Sequence, residues 1–172
     1  MSFFSRLFTK TDPTSDWPPA QDRAPDVDLD GRRLTGFGGA VAFGDPLEAA
    51  RVLGRPDEVS GGKGGAWTLS YERHGLTLEF EEGRFVHASF SIASGEDSAD
   101  EPDAWGRERR GPDGRALSSR TRLREVLERF GEPRETQRLE GETVLYYAHG
   151  ELVSELQFDE ADRLTGWDVY LD

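Results

Sequence analysis

The chain contains no cysteine. That excludes disulfide staples, thiolate zinc sites, a cysteine nucleophile and a lipid anchor attached through cysteine. It also fits a reducing compartment, so a cytoplasmic location is expected. Lysine is nearly missing, with only Lys10 and Lys63, and the basic residues are otherwise arginine. Histidine is limited to His74, His87 and His149. No H-x-x-x-H or other dense ligand spacing joins them, so neither a metal site nor a cofactor is expected. No apolar run approaches the roughly 20 residues that span a bilayer.

Phosphate-binding glycine motifs fail on inspection. In Gly61-Gly62-Lys63-Gly64-Gly65, the first glycine of G-x-x-x-x-G-K-[ST] is replaced by Asp57, and Gly64 follows the lysine. The run also precedes a strand, so no helix N-terminus waits for phosphate. Gly36-Phe37-Gly38-Gly39 lacks the third glycine of a dinucleotide fingerprint. Asp26-Val27-Asp28-Leu29-Asp30-Gly31 matches the first half of a calcium loop, but Phe37 stands where the bidentate glutamate belongs. The segment reads better as an acidic lead into a turn.

What the chain does have is negative charge. Its 34 acidic residues against 21 basic ones give −13, which repels nucleic acid and anionic membranes and attracts basic partners. The N-terminus is a local exception. Phe3, Phe4, Leu7 and Phe8 fall at helical spacing with Arg6 and Lys10 opposite. This makes them candidate membrane-contact residues. No signal-cleavage pattern follows them.

Punctuation divides the 172 residues into four parts. Residues 1–30 form an amphipathic segment followed by a Pro/Asp-rich linker, and residues 94–112 form a second, charged linker. Residues 31–93 and 113–172 form two folded parts with the same grammar. In the first, Asp45 caps a short helix, Pro46 occupies its first position and Glu48 completes a capping box. In the second, Ser119 or Thr121 caps a helix whose buried stripe is Leu123, Val126, Leu127 and Phe130. Leu53-Gly54-Arg55-Pro56 ends the first helix, and Phe130-Gly131-Glu132-Pro133 ends the second.

Three alternating strands are expected after each helix. Residues 67–71, 76–81 and 84–92 supply the first set, and 143–148, 151–158 and 163–171 the second. The turns His74-Gly75 and His149-Gly150 correspond. The expectation is therefore an α+β fold of two tandem helix-plus-antiparallel-meander repeats, with the helices on one face of the sheet or sheets.

This order of elements resembles the repeat of the β-lactamase inhibitor protein and of SmpA/OmlA-type outer-membrane lipoproteins. The resemblance covers residues 47–92 and 123–171. It implies a non-enzymatic, protein-binding scaffold that uses the open face of its sheet. The chain departs from both families in lacking the lipid-attachment cysteine and disulfides.

Alternation places Trp67, Leu69, Tyr71, Leu76, Leu78, Phe80, Val86, Phe90, Leu145, Tyr147, Leu156, Phe158, Trp167 and Val169 toward the core. The opposite face is polar and acidic. Its candidate partner-binding residues are Glu79, Glu81, His87, Tyr146, Glu155, Asp168 and Tyr170. The tyrosines matter because a large side chain with a polar tip suits a protein interface. His87 shares this face with Ser89 and Ser91, but no G-x-S-x-G elbow accompanies them, so no catalytic residue is assigned. The expected function is binding of a basic protein, in the manner of an inhibitor or immunity protein. The alternatives are a peripheral membrane factor acting through residues 1–10, and an enzyme with dispersed carboxylates.

Overall fold

The computed structural model describes residues 12–20, 22, 25–36, 39–92, 109–111 and 113–172. The membrane-contact candidates Phe3, Phe4, Leu7 and Phe8 lie outside them. Among the described residues, no helix is long and apolar enough to cross a membrane.

Strands form where apolar and polar residues alternate, because successive side chains point to opposite faces. Strands β1 (Asp26–Asp28), β2 (Arg33–Gly36) and β3 (Gly39–Ala42) make a small antiparallel sheet. A meander follows, with β4 (Glu58–Gly61), β5 (Trp67–Tyr71), β6 (Leu76–Glu81) and β7 (Arg84–Ser91). Two short strands, β8 (Arg109–Arg110) and β9 (Ala116–Leu117), pair with each other. Helix α1 (Leu123–Phe130) then leads into β10 (Glu135–Leu139), β11 (Glu142–His149), β12 (Leu152–Asp159) and β13 (Leu164–Leu171).

The last strands of the two meanders pair antiparallel, from Gly166 opposite Ser91 to Tyr170 opposite His87. One eight-stranded sheet results, in the order β10-β11-β12-β13-β7-β6-β5-β4. Pairing β7 with β13 hides what would otherwise be two exposed edges.

This architecture overturns the expected α+β class. The fold is mostly β, and two helix-plus-meander repeats with helices covering one face do not describe it. Residues Leu47–Leu53 form a 3-10 helix, which leaves α1 as the one α-helix among the described residues. Seven residues between Pro46 and Gly54 are too few for the segment to hold α-helical geometry on its own. Much of the cover over the large sheet comes from the small one. Leu34, Val41 and Phe43 join its core, and Phe43 stacks on Phe85 with ring centroids 4.3 Å apart.

The expected helix caps are also corrected. Neither helix has a side-chain cap; Pro46 and Arg122 stand at the N-cap positions. The Asp45 carboxylate instead accepts from the Ala42 amide at 2.9 Å, and the Thr121 hydroxyl accepts from the Ser118 amide at 3.0 Å. Both glycine stops are present, with φ 85° at Gly54 and 78° at Gly131. In α1, Val126 is buried but Leu127 is 39% exposed, so the apolar stripe is narrower than its spacing predicts. The segment read as a linker before residue 31 contains β1 and buried Trp17.

The core side of the large sheet carries Leu69, Tyr71, Leu76, Leu78, Phe80, Phe90, Leu145, Tyr147, Leu156, Phe158, Trp167 and Val169, all buried. Trp67 is half-buried beside them. Val86 departs from its expected place. Glu79 opposes His87 while Phe80 opposes Phe85, so Val86 is the extra residue of a β-bulge. The bulge puts Phe85 wholly inside the core and leaves Val86 half-buried.

Candidate functional site

The junction between the two meanders sets the geometry of the open face. Strand pairing places Glu79 opposite His87, His87 opposite Tyr170, Asp168 opposite Glu155 and Glu155 opposite Tyr146. Six of the seven candidate residues therefore form one continuous band across β6, β7, β13, β12 and β11. Glu81 is not part of it. It lies opposite Arg84 at the hairpin end.

His87 sits at the centre of the band. Its Nδ1 lies 3.1 Å from Glu79 Oε2 and its Nε2 3.1 Å from Asp168 Oδ1. The ring meets Tyr170 edge-on, with centroids 5.8 Å apart. The hydrogen bond to Asp168 raises the His87 pKa to about 8, aided by Glu79 and opposed by burial. At neutral pH the ring is therefore an imidazolium that donates to both carboxylates. With both nitrogens engaged, it cannot act as the base for Ser89 or Ser91.

Gln157 extends the network. Its Nε2 donates to Asp168 Oδ2 at 2.8 Å and to Glu155 Oε1 at 3.0 Å. Asp168 is thus held from two sides, and its side chain is 13% exposed. Alternation with Glu155 along β12 puts Gln157 on the polar face, but nothing in its local sequence marks it as a bridge. The signal lies in register, since Gln157 pairs with Gly166, two positions from Asp168 and on the same face.

Tyr146 and Tyr170 flank Glu155. Both phenol pKa values are raised, first by burial and then by the negative charge of Glu155. They stay protonated at neutral pH, so each offers an apolar ring and a hydroxyl donor. The band presents carboxylates from Glu79, Glu155 and Asp168 around a single imidazolium, and its balance is negative.

The other sequence motifs serve local structure. The Asp28 carboxylate accepts from the Gly31 amide at 2.8 Å and from Arg33 Nε at 2.9 Å, which closes the β1–β2 turn. His74 is buried ahead of Gly75, a glycine with φ 53°. His149 ends β11 ahead of Gly150, with φ 65°. Among the described residues, no group of three or more His, Asp or Glu side chains could hold a metal ion.

No protein-family model matches the chain. No curated protein matches it in sequence. Two solved structures show a distant similarity to the chain. A DUF4309 family protein, YjgB, from Bacillus subtilis subsp. subtilis str. 168 is 8% identical with a TM-score of 0.44, over 73% of this chain and 76% of that one. A cysteine-rich secretory protein, SAV1118, from Staphylococcus aureus subsp. aureus Mu50 is 11% identical with a TM-score of 0.49. That match covers 93% of this chain and 48% of the other, so the chain spans about half its length. Neither is described as a β-lactamase inhibitor protein or an SmpA/OmlA lipoprotein. Likeness at this level carries no functional argument.

Proposed function

We propose that this chain is a non-enzymatic, cytoplasmic protein-binding module whose open sheet face engages a basic protein, as an inhibitor or immunity protein does. The observation that carries the reading is the band itself. Tyr146, Glu155, Asp168, Tyr170, His87 and Glu79 are contributed by five strands, yet strand register sets them side by side on one face. The net charge of −13 favours the same class of partner. The clamp on His87 holds the band rigid, which lowers the entropy lost on binding.

The test is affinity capture from native lysate at low and high salt, comparing the natural chain with a Tyr146→Ala/Glu155→Ala/Tyr170→Ala variant. A stoichiometric basic partner should be retained by the natural chain at low salt, and lost with the variant or as salt rises. A partner held equally by both proteins would remove the band from the interface.

A further inference from the structure

Two grooves lie where a helix end meets the large sheet, and they are built from the same local parts. In the first, the Gly54 carbonyl accepts a hydrogen bond from the Tyr71 hydroxyl at 3.0 Å. In the second, the Gly131 carbonyl accepts one from the Tyr147 hydroxyl at 3.1 Å. Pro56 and Pro133 follow those glycines, and His74 and His149 line the far walls.

The first groove is filled by the chain itself. Trp17 lies in it, 5% exposed. The Arg55 amide donates to the Pro18 carbonyl at 2.6 Å. Two carboxylates of this strap hold the rim, Asp16 at 3.0 Å from Arg51 and Asp12 at 3.7 Å from Arg55. A cavity of about 360 Å³ remains beside them.

Among the described residues, no segment fills the second groove, which holds a cavity of about 710 Å³. Among the described residues, the Glu132 amide, which corresponds to that of Arg55, has no acceptor. His149 Nε2 is buried without a hydrogen-bond partner. The rim charge is inverted at one position, since Glu132 stands where the first groove has Arg55; Glu128, the counterpart of Arg51, is paired with Arg124 at 2.8 Å. Arg129 and Arg134 also line it, but Asp113 at 2.8 Å and Asp172 at 2.7 Å neutralise them. Glu132 is left as the net charge.

We infer that this second groove docks an extended, basic segment of another protein, with a tryptophan or similar aromatic residue seated between Phe130, Pro133 and Tyr147. The segment carries arginine or lysine where the strap of the first groove carries Asp12 and Asp16. Its backbone carbonyl accepts from the Glu132 amide, as Pro18 does from Arg55. This surface is separate from the open sheet face, and the inference does not depend on that reading.

The experiment uses fluorescence anisotropy of a labelled peptide, residues 12–19 with Asp12→Arg and Asp16→Arg, titrated with the full chain. Saturable binding is expected, with the unaltered acidic peptide weaker by about tenfold, the size of two or three exposed ion pairs. Glu132→Arg should reverse that order. Phe130→Ala, which removes a groove wall on the Tyr147 side of the sheet, should weaken binding while the circular dichroism stays unchanged. Binding should survive in the Tyr146→Ala/Glu155→Ala/Tyr170→Ala variant, which separates this site from the sheet face. No saturable binding, or binding indifferent to Glu132→Arg and Phe130→Ala, overturns the inference. Residues 93–108 lie outside the described residues and include Trp105, so binding that emerges only with Trp105→Ala assigns the groove to the chain's own segment and overturns the inference equally.

Discussion

His87 gives the sharpest physical test of this structure. Its ring links β6 to β13 through Glu79 and Asp168, so it ties one meander to the other across their junction. The folded pKa of about 8 stands above the ordinary 6.5. A group whose folded pKa is raised binds its proton more tightly in the folded state. Its contribution is therefore fully present below about pH 6.5 and is lost as pH rises through 8. The raised value corresponds to about 2 kcal/mol by linkage. The side chains of His87 and Glu79 are 27% and 50% exposed, and solvent screening reduces the figure to about 1 kcal/mol.

The assay is urea unfolding at pH 6 and pH 9 for the natural chain and for His87→Gln. Other groups titrate over this window, so the difference between the two proteins is the quantity to read. His149 is an example, with a pKa lowered by burial and a pH dependence of the opposite sign. The natural chain should be more stable than the variant by about 1 kcal/mol at pH 6, and the gap should shrink toward zero by pH 9. A nuclear magnetic resonance titration of the His87 ring protons supplies the pKa directly. A value at or below 6.5, or a gap that does not change with pH, would refute the clamp.

Four further outcomes follow from named residues. Gly131→Ala should cost about 1–3 kcal/mol, because Gly131 holds φ 78° and ψ −155°, where glycine alone is comfortable. Gly54→Ala should cost clearly more in the same unfolding assay, because a Cβ there would lie 2.5 Å from the Pro19 carbonyl oxygen; equal losses would contradict the close approach of the strap. Trp167→Ala should cost about 3–5 kcal/mol, since the ring is fully buried against Phe90 at a centroid distance of 5.4 Å. Ser154→Ala, which removes the acceptor 3.2 Å from Trp167 Nε1, should cost about 1–2 kcal/mol, and thermal unfolding of both variants measures the difference.

The strands and faces that form the band were legible because a strand's side chains alternate with a fixed period. Residues 67–71, 76–81 and 84–91 are strands where alternation places them, and so are most of residues 143–148, 151–158 and 163–171. The two glycine stops were legible for a similarly local reason, as both occupy backbone conformations that other residues adopt only at a cost. Local pattern failed where length or packing decided. Asp45, Pro46 and Glu48 spell a helix start, but the segment between Pro46 and Gly54 winds as a 3-10 helix without a side-chain cap. The edge strands β4 and β10 went unseen because neither buries an alternating face; every residue of β10 is exposed.

The amino-acid sequence alone determined which residues alternate, where the chain turns and how negative the surface is, since all of these depend on neighbours along the chain or on composition. Only the tertiary structure decided that β7 pairs with β13, that Val86 bulges so that Phe85 enters the core, and that the fold is mostly β. Each of these depends on register between segments far apart in the chain. A shift of one residue in that register would turn His87 and Asp168 from the open face to the core, and no local pattern specifies it.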